Sequence, residues 1–268
     1  RGNFCLVEDC HIRDRRAGRI SSEEALTLIE ELKEISVTGF EIDIYPVIDY
    51  RFVLVFKGEY VSSAITETDP QVTDVSVSLS EPKDPSGLRM ANAVNEFTES
   101  ANIILSKMEM PANGVLLRGF SKIPNLPDFG MNYGLKPAAI AAYPMYKGIA
   151  QLLGMDVLEC EQNYQSEIRV LKSIFSTGPY DFYFLHYKSA DSAGEDGDFE
   201  AKVAALEDFD SHLQTILDME PDVLVICGDH ATPSYLASHS WHPVPFLINS
   251  KYSVGYSEGF NERNCRSG

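Results

Sequence analysis

Acidic and imidazole side chains gather at three places in the second half of the sequence, and together they are typical metal ligands. Asp191 and Glu195 lie four residues apart after one apolar run. Asp229 and His230 are adjacent after a second run, and His239 precedes a third. Because a phosphomonoester dianion repels nucleophiles, enzymes that act on it place divalent cations against it, often two of them. These residues therefore predict a metal site for phosphoryl transfer.

Each of these groups, taken alone, has a simpler explanation. An Asp after a strand is most often a helix N-cap or a turn residue. The acidic run over residues 195–198 can be a solvated loop, and His242 beside Pro243 can be a surface residue. Three groups, each next to a predicted strand, favour a metal site over a solvated acidic face, which stays an alternative.

The second half of the sequence predicts the elements that position these groups. The predicted strands cover residues 138–142, 180–186, 221–227 and 244–248, and the predicted helices cover 146–153 and 199–219. Apolar strands that alternate with helices indicate a parallel sheet covered on both faces. Ligands bind at the carboxyl ends of such strands, so we expect the acidic and imidazole groups to meet at one edge of the sheet.

The first half mixes strands and helices without that alternation. Strands are predicted over residues 2–8, 40–45, 50–56 and 114–117, helices over 25–35 and 91–107, and a long loop over 66–87. Ser21 and Glu24 have the spacing of a capping box before the first helix. A stretch rich in Pro, Gly and Asn, residues 127–133, predicts a boundary between domains 1–130 and 131–268.

Basic residues of the first half could bind an anionic substrate. Arg15, Arg16 and Arg19 place three arginines within five residues, and Arg118 and Lys136 lie near the predicted boundary. The net charge is −18, so an anion needs a local reversal of charge. Arginine binds phosphate and carboxylate through two parallel hydrogen bonds. A solvated basic turn before the capped helix is an equally good interpretation of the arginine cluster.

Composition excludes several classes of function. A net charge of −18 and a pI near 4.6 argue against nucleic-acid and anionic-membrane partners, since both need a basic face. No apolar run approaches the roughly 20 residues of a membrane span. The five cysteines form no CxxC pair, and this usage predicts a reducing, cytoplasmic compartment.

Six segments resemble, in the same order, the archaeal type of cofactor-independent (2,3-bisphosphoglycerate-independent) phosphoglycerate mutases, within the alkaline phosphatase superfamily. They are residues 14–20 (DRRAGRI), 116–120 (LLRGF), 134–136 (GLK), 184–195 (FLHYKSADSAGE), 228–230 (GDH) and 239–245 (HSWHPVP). The resemblance implies an α/β fold with a mostly parallel alkaline-phosphatase-like sheet, present in part, with helices on both faces. Residues 1–130 would form most of an inserted α+β substrate-binding domain, and 131–268 the second part of the metal-binding domain.

The resemblance also implies roles for individual residues. One divalent ion would be held by Asp191, Glu195 and His239, and the other by Asp229 and His230. A carboxylate at Glu195, where related enzymes often have His, favours Mn²⁺ or Mg²⁺ over Zn²⁺. The cations expected to bind the phosphate and carboxylate of phosphoglycerate are Arg15, Arg16, Arg19, Arg118 and Lys136. The implied reaction interconverts 2- and 3-phosphoglycerate in glycolysis and gluconeogenesis through a phosphoserine, without 2,3-bisphosphoglycerate.

In this family the phosphate-accepting serine and one further metal-binding aspartate come before the segments matched here. We therefore expect both to lie upstream of Arg1, and no serine of this sequence is assigned the role. We also expect native chain beyond the polar closing stretch 255–268, and no activity from residues 1–268 alone. The alternatives are a homoserine kinase-like or other phosphotransferase or phosphohydrolase of the same superfamily, and a non-catalytic metal- or phosphoglycerate-binding module. The sequence does not predict the oligomeric state.

Overall fold

A computed structural model describes residues 1–254 and 259–266 of the chain. Of the polar stretch 255–268, residues 255–258 and 267–268 thus lie outside the described residues. The chain divides into two compact units, unit 1 (Arg1–Pro124) and unit 2 (Asn125–Gly268). The described part contains no helix with the length and apolar character to cross a membrane.

Unit 1 is an antiparallel sheet with two long helices. Its strands are β1 (Gly2–Glu8), β2 (His11–Asp14), β3 (Glu41–Pro46), β4 (Arg51–Lys57) and β5 (Gly114–Leu117), and its helices are α1 (Ser22–Leu32) and α2 (Leu88–Leu105). The strand order is β2-β1-β4-β3, and β5 also pairs with β1. Among these, β2 was not predicted, because Ile12 is its one apolar residue.

The two helices of unit 1 cover a continuous core. Ser21 accepts a hydrogen bond from the Glu24 amide at 3.2 Å, and the Ser21 amide donates to the Glu24 carboxylate at 2.7 Å, so the predicted capping box is confirmed. The buried residues of α1 recur at helical spacing. They are Ala25, Leu28, Ile29 and Leu32. On α2, Phe97 is fully buried and meets the ring of Phe56 edge-on at 6.3 Å.

The long predicted loop is confirmed as irregular up to a short 3-10 turn at Pro85–Gly87. It is fixed to the unit by the backbone: Ile65 bridges Pro82, and the Thr68 amide donates to the Leu117 carbonyl at 2.9 Å. These contacts bring the next residue, Asp69, into a buried position.

Unit 2 is built on a three-stranded parallel sheet, which confirms the α/β class. Its strands are β6 (Pro137–Ala141), β7 (Asp156–Leu158), β8 (Phe182–His186), β9 (Val223–Cys227) and β10 (Phe246–Ser250). Its helices are α3 (Phe129–Tyr133), α4 (Pro144–Leu152), α5 (Tyr164–Ile174), α6 (Ser189–Glu195) and α7 (Phe199–Leu217). The parallel order is β7-β6-β8, and every residue of the central strand β6 is buried.

Strands β9 and β10 depart from the prediction. They pair antiparallel, from Phe246 opposite Cys227 to Ser250 opposite Val223, so the parallel sheet that the alternation indicates does not include this pair. The physical reason lies in the connection: no helix separates the two strands along the chain, and a parallel neighbour requires such a crossover.

Four elements of unit 2 were not predicted: α3, β7, α5 and α6. Helix α5 is polar along much of its length, and its buried face contains a carboxyl group, Glu167, beside Ile168 and Leu171. A buried acid interrupts the apolar periodicity on which the prediction depends. Helix α6 covers residues 189–195, for which the sequence predicted neither a helix nor a strand.

Candidate metal centre

Helix α6 positions the first pair of predicted ligands. It begins three residues after the last residue of β8, His186, and therefore at the carboxyl edge of the parallel sheet. Asp191 lies in its first turn and Glu195 is its last residue. Residues four apart lie on the same face of a helix, so both carboxylates are directed to one side.

A loop after β9 brings two imidazoles to the same place. Ser240 bridges Ala231, and the Ser240 amide donates to the Ala231 carbonyl at 2.9 Å. This bridge returns the chain on itself, so that the rings of His230 and His239 lie 3.9 Å apart. The sequence placed His239 before a strand, and the bridge explains why it nevertheless reaches the edge where His230 lies.

The predicted ligands form a connected set of donor atoms. His239 Nε2 lies 3.5 Å from Asp191 Oδ1 and 3.5 Å from Glu195 Oε1. His230 Nδ1 lies 3.9 Å from Asp191 Oδ1. Ligand atoms of Asp191, His230 and His239 all lie within 4.8 Å of one another. These three residues could therefore hold a metal ion.

Asp229 extends the set on the far side of His230. Its Oδ2 lies 3.5 Å from His230 Nε2 and accepts a hydrogen bond from the Tyr146 hydroxyl at 3.1 Å. Carboxylates and imidazoles suit first-row divalent ions, and donor atoms at these separations can share them. The donor set of this unit fits the metal that the sequence predicts.

The Asp191 carboxylate is prepared as a ligand by two neighbours that the sequence did not predict. Lys188 Nζ donates to its Oδ2, and Thr232 Oγ1 donates to its Oδ1 at 2.6 Å. Burial raises the pKa of Asp191, but these two hydrogen bonds and the charges of Lys188 and His230 outweigh it and lower the pKa overall. The group is therefore ionised, as a metal ligand must be. Lys188 could have been found from its place three residues before Asp191, whereas nothing local marks Thr232.

A second unpredicted pair lies behind Asp229. The Tyr146 ring stacks on His186 with centroids 3.3 Å apart. Burial lowers the pKa of His186 to about 4, so its ring is neutral at pH 7. Burial, together with the charge of Asp229, raises the pKa of the Tyr146 phenol. Tyr146 thus keeps its proton and remains a donor to Asp229.

The cations predicted to bind an anionic substrate do not all belong to one unit. In unit 1, Arg15 Nε and Nη2 donate to the two oxygens of Asp69 at 3.0 and 2.8 Å. Arg118 Nε lies 3.6 Å from the same carboxylate. Burial raises the pKa of Asp69, but the Arg15 hydrogen bonds, the Gln71 amide and the charges of Arg15 and Arg118 lower it overall. Asp69 was not predicted as part of any site, and it joins two arginines that lie far apart in sequence.

The other two arginines lie on a tight turn. The Asp14 carboxylate accepts the amides of Arg16 at 2.7 Å and of Gly18 at 2.6 Å. Residues 17–19 all have positive φ, between 47° and 69°, and such a run directs successive amides to one side. The side chains of Arg16 and Arg19 are exposed, as the interpretation of a solvated basic turn expects.

Lys136 is not brought to the metal ligands. It directly precedes β6, at the amino end of that strand, and its amide donates to Asp181 at 2.6 Å. Because β6 and β8 are parallel, Lys136 lies at the edge of the sheet opposite to the one that α6 follows. A lysine that does lie beside the ligands is Lys188.

The fold and the donor set are those of a metal-dependent α/β enzyme, and residues 73–268 match the Metalloenzyme superfamily. Residues 1–111 match 2,3-bisphosphoglycerate-independent phosphoglycerate mutase. Curated proteins named "Probable 2,3-bisphosphoglycerate-independent phosphoglycerate mutase" are 45% identical in Aquifex aeolicus and 42% in Thermosipho melanesiensis. The matches cover 100% of this chain and 68% and 67% of those proteins. The chain belongs to the family of 2,3-bisphosphoglycerate-independent phosphoglycerate mutases.

Two solved structures share the fold. A cofactor-independent phosphoglycerate mutase from Thermoplasma acidophilum is 25% identical with a TM-score of 0.59, and the match covers 100% of this chain and 70% of that one. A Pyrococcus horikoshii protein is 24% identical with a TM-score of 0.75, with 68% of its chain covered and all of this one. The second likeness concerns the fold alone.

Proposed function

We propose that this protein interconverts 2-phosphoglycerate and 3-phosphoglycerate by metal-dependent phosphoryl transfer. The observation that carries the proposal is the convergence of Asp191, His230 and His239 within 4.8 Å at the carboxyl edge of the sheet. Family membership supports the substrate, since the relatives are named for phosphoglycerate. Their name also supports a reaction that needs no 2,3-bisphosphoglycerate.

The chain's own residues have distinct tasks in this proposal. Asp191, Glu195 and His239 would hold one divalent ion, and Asp229 with His230 the second. When bound, the ions would neutralise the phosphate and stabilise the charge that develops during transfer. Lys188 keeps Asp191 ionised and oriented, and Tyr146 holds the Asp229 carboxylate by a hydrogen bond. With three carboxylates in the set, we propose Mn²⁺ or Mg²⁺ rather than Zn²⁺.

The substrate's anionic groups would bind to Arg15 and Arg118. A guanidinium has five donor hydrogens, and Asp69 accepts two hydrogen bonds from Arg15. Asp69 thus fixes the orientation of Arg15 and leaves further donors for a phosphate or a carboxylate. We also propose a place in glycolysis and a cytoplasmic location, the latter because all five cysteines are free thiols.

Metal binding is the first test, because it does not need the phosphate-accepting serine. Titration calorimetry with Mn²⁺ should give saturable binding to the protein, and Asp191→Asn should weaken it at least about 100-fold, as expected for loss of a primary ligand. Asp210→Asn, an exposed acid on α7, is the matched control and should bind like the wild type. Equal affinity in Asp191→Asn would contradict the proposed centre.

Turnover is the second test. With Mn²⁺ and 3-phosphoglycerate, ³¹P NMR of the catalytically complete enzyme should show 2-phosphoglycerate forming, and chelation should stop it. Product formed instead from a nucleotide and an amino alcohol would favour a homoserine kinase-like activity. Metal-dependent substrate binding without any transfer would favour a non-catalytic module. The prediction that residues 1–268 lack the serine is tested by the same assay, since turnover by these residues alone would contradict it.

A further inference from the structure

Thr232 lies between two of the predicted ligands and is almost fully buried, with 4% of its surface exposed. Its Oγ1 donates to Asp191 Oδ1 at 2.6 Å, and His230 Nδ1 lies 3.1 Å from the same oxygen. Its backbone carbonyl accepts a hydrogen bond from Lys202 Nζ on α7 at 2.5 Å. The residue is therefore held from its backbone while its hydroxyl joins a carboxylate to an imidazole.

The protons of this arrangement can be counted. A hydroxyl has one proton, and an ionised carboxylate can only accept, so the Thr232 proton is directed to Asp191. The Thr232 oxygen must then accept in its contact with His230, which requires a proton on Nδ1. An imidazole that binds a metal is neutral and carries one N–H, so the lone pair of His230 is then on Nε2. Nε2 faces Asp229, whose Oδ2 is 3.5 Å away.

We infer that Thr232 is a positioning residue that holds His230 in its Nδ1–H form and thereby makes Nε2 the metal-ligating atom, on the Asp229 side. The same hydroxyl orients Asp191 Oδ1, the atom that lies 3.5 Å from His239. One hydroxyl thus contacts one proposed ligand of each ion, Asp191 for the first and His230 for the second. Hydrogen bonds of this kind fix the tautomer and the ring orientation of metal-binding histidines.

The inference rests on the proposed function for the metal, and its main test does not need the metal. In ¹⁵N-histidine-labelled protein without metal at pH 8.5, long-range ¹H–¹⁵N spectra report which ring nitrogen of His230 carries the proton. Loss of the signals in His230→Gln assigns them. The wild type should show the Nδ1–H form. Thr232→Val, which keeps the shape and removes the hydroxyl, should shift the ratio toward the Nε2–H form by about fivefold or more.

Two further variants separate the hydroxyl from the fold. Thr232→Ser keeps the hydroxyl and should preserve the tautomer and bind Mn²⁺ within about threefold of the wild type. Thr232→Val should bind Mn²⁺ about 10- to 100-fold more weakly, as is common when a group that orients a ligand is lost. Thr177→Val removes an exposed hydroxyl of unit 2 and should change neither measurement.

An Nε2–H form of His230 in the wild type would overturn the inference. An unchanged tautomer in a folded Thr232→Val variant would also overturn it, and so would a Thr232→Ser variant that loses as much Mn²⁺ affinity as Thr232→Val. If Thr232→Val does not fold, the wild-type tautomer and Thr232→Ser still decide. The wild type could show the Nδ1–H form, and Thr232→Ser could preserve it, while neither protein binds Mn²⁺. That result would contradict the proposed function and leave the role of Thr232 in setting the tautomer supported.

Discussion

Asp69 in unit 1 and Asp191 in unit 2 are both ionised carboxylates with lowered pKa, yet they are stabilised in opposite ways. The Asp69 side chain is fully buried, and two guanidinium groups neutralise it. The Asp191 side chain is 16% exposed and has one ammonium partner, a hydroxyl and two imidazoles. In unit 1 the protein supplies its own cations. In unit 2 it supplies anions and lone pairs, and this surplus is what a metal ion from solution requires.

The hydrophobic packing of the two units also differs. Unit 1 contains a core that includes large, fully buried side chains such as Phe52 and Phe97. In unit 2, the antiparallel pair β9 and β10 leaves Val223, Phe246 and Ile248 about half exposed. A ligand-binding edge formed by loops and short strands depends less on a dense core than a buried ion pair does.

The largest expected effect tests this difference in packing. Phe97→Ala should lower the free energy of unfolding by about 3–5 kcal/mol, because it removes a buried ring and leaves a cavity. Phe246→Ala, at a ring that is 54% exposed, should cost under about 1 kcal/mol. Urea unfolding followed by far-UV circular dichroism measures both. Similar losses in the two variants would break the comparison of the units.

The next largest effect concerns the ion pairs that Asp69 makes with Arg15 and Arg118. Asp69→Asn should cost about 3 kcal/mol at pH 7, because it leaves two partly buried guanidinium groups without a charge partner. The folded-state pKa of Asp69 is lowered, so its contribution is present above the unfolded value of 3.8 and is lost as the pH falls further. Acid titration of stability should therefore be shallower in Asp69→Asn. With Mn²⁺ added, its melting temperature should rise as in the wild type, whereas that of Asp191→Asn should not.

A somewhat smaller effect comes from Glu167, the buried acid of α5. Its carboxylate accepts the amides of Ala142 at 2.7 Å and of His186 at 3.3 Å. Ala142 directly follows β6, and His186 is the last residue of β8. Burial raises its pKa to about 7, and the two hydrogen bonds only partly oppose this. The unfolded chain loses this proton near pH 4.5 and the folded chain near 7, so stability should fall across that interval by up to roughly 3 kcal/mol and then level off.

The measurement for Glu167 is the unfolding free energy at intervals from pH 4 to pH 8. Glu167→Gln cannot ionise and should remove this slope. Glu161→Gln alters an exposed acid of the same unit and should keep the slope, so it serves as the control. A slope that persists in Glu167→Gln would show that another group causes it.

The smallest expected effect concerns Asp229, another carboxylate of the candidate metal centre. Tyr146→Phe removes the donor to Asp229 and keeps the stacked ring over His186. The loss of one hydrogen bond to a charged group should weaken Mn²⁺ binding by about 3- to 10-fold. Calorimetry at fixed pH measures it, and Tyr133→Phe, at an exposed ring, is the control. An unchanged affinity would assign Tyr146 a packing role only.

Local patterns account for the parts of the fold that could be predicted. The capping box of α1 and the strands β1, β4 and β5 depend on residues within a few positions of each other. Strand β2 was not predicted, because the turn that leads into it also lacks a local signal. Its hairpin turns at Asp9 and Cys10, both with positive φ, and neither residue gives the Gly signal that predicts such a turn.

The sequence alone determined which side chains are available for metal binding and which strand ends carry them, because carboxylate and imidazole chemistry is a property of residue type. Only the tertiary structure decided how they meet. The contact between Asp191 and Thr232 spans 41 residues, and that between Arg15 and Asp69 spans 54. It also put Lys136 at the opposite edge of the sheet, since strand direction is fixed by pairing with β8. Such contacts depend on sheet pairing and loop closure, and no local pattern records either.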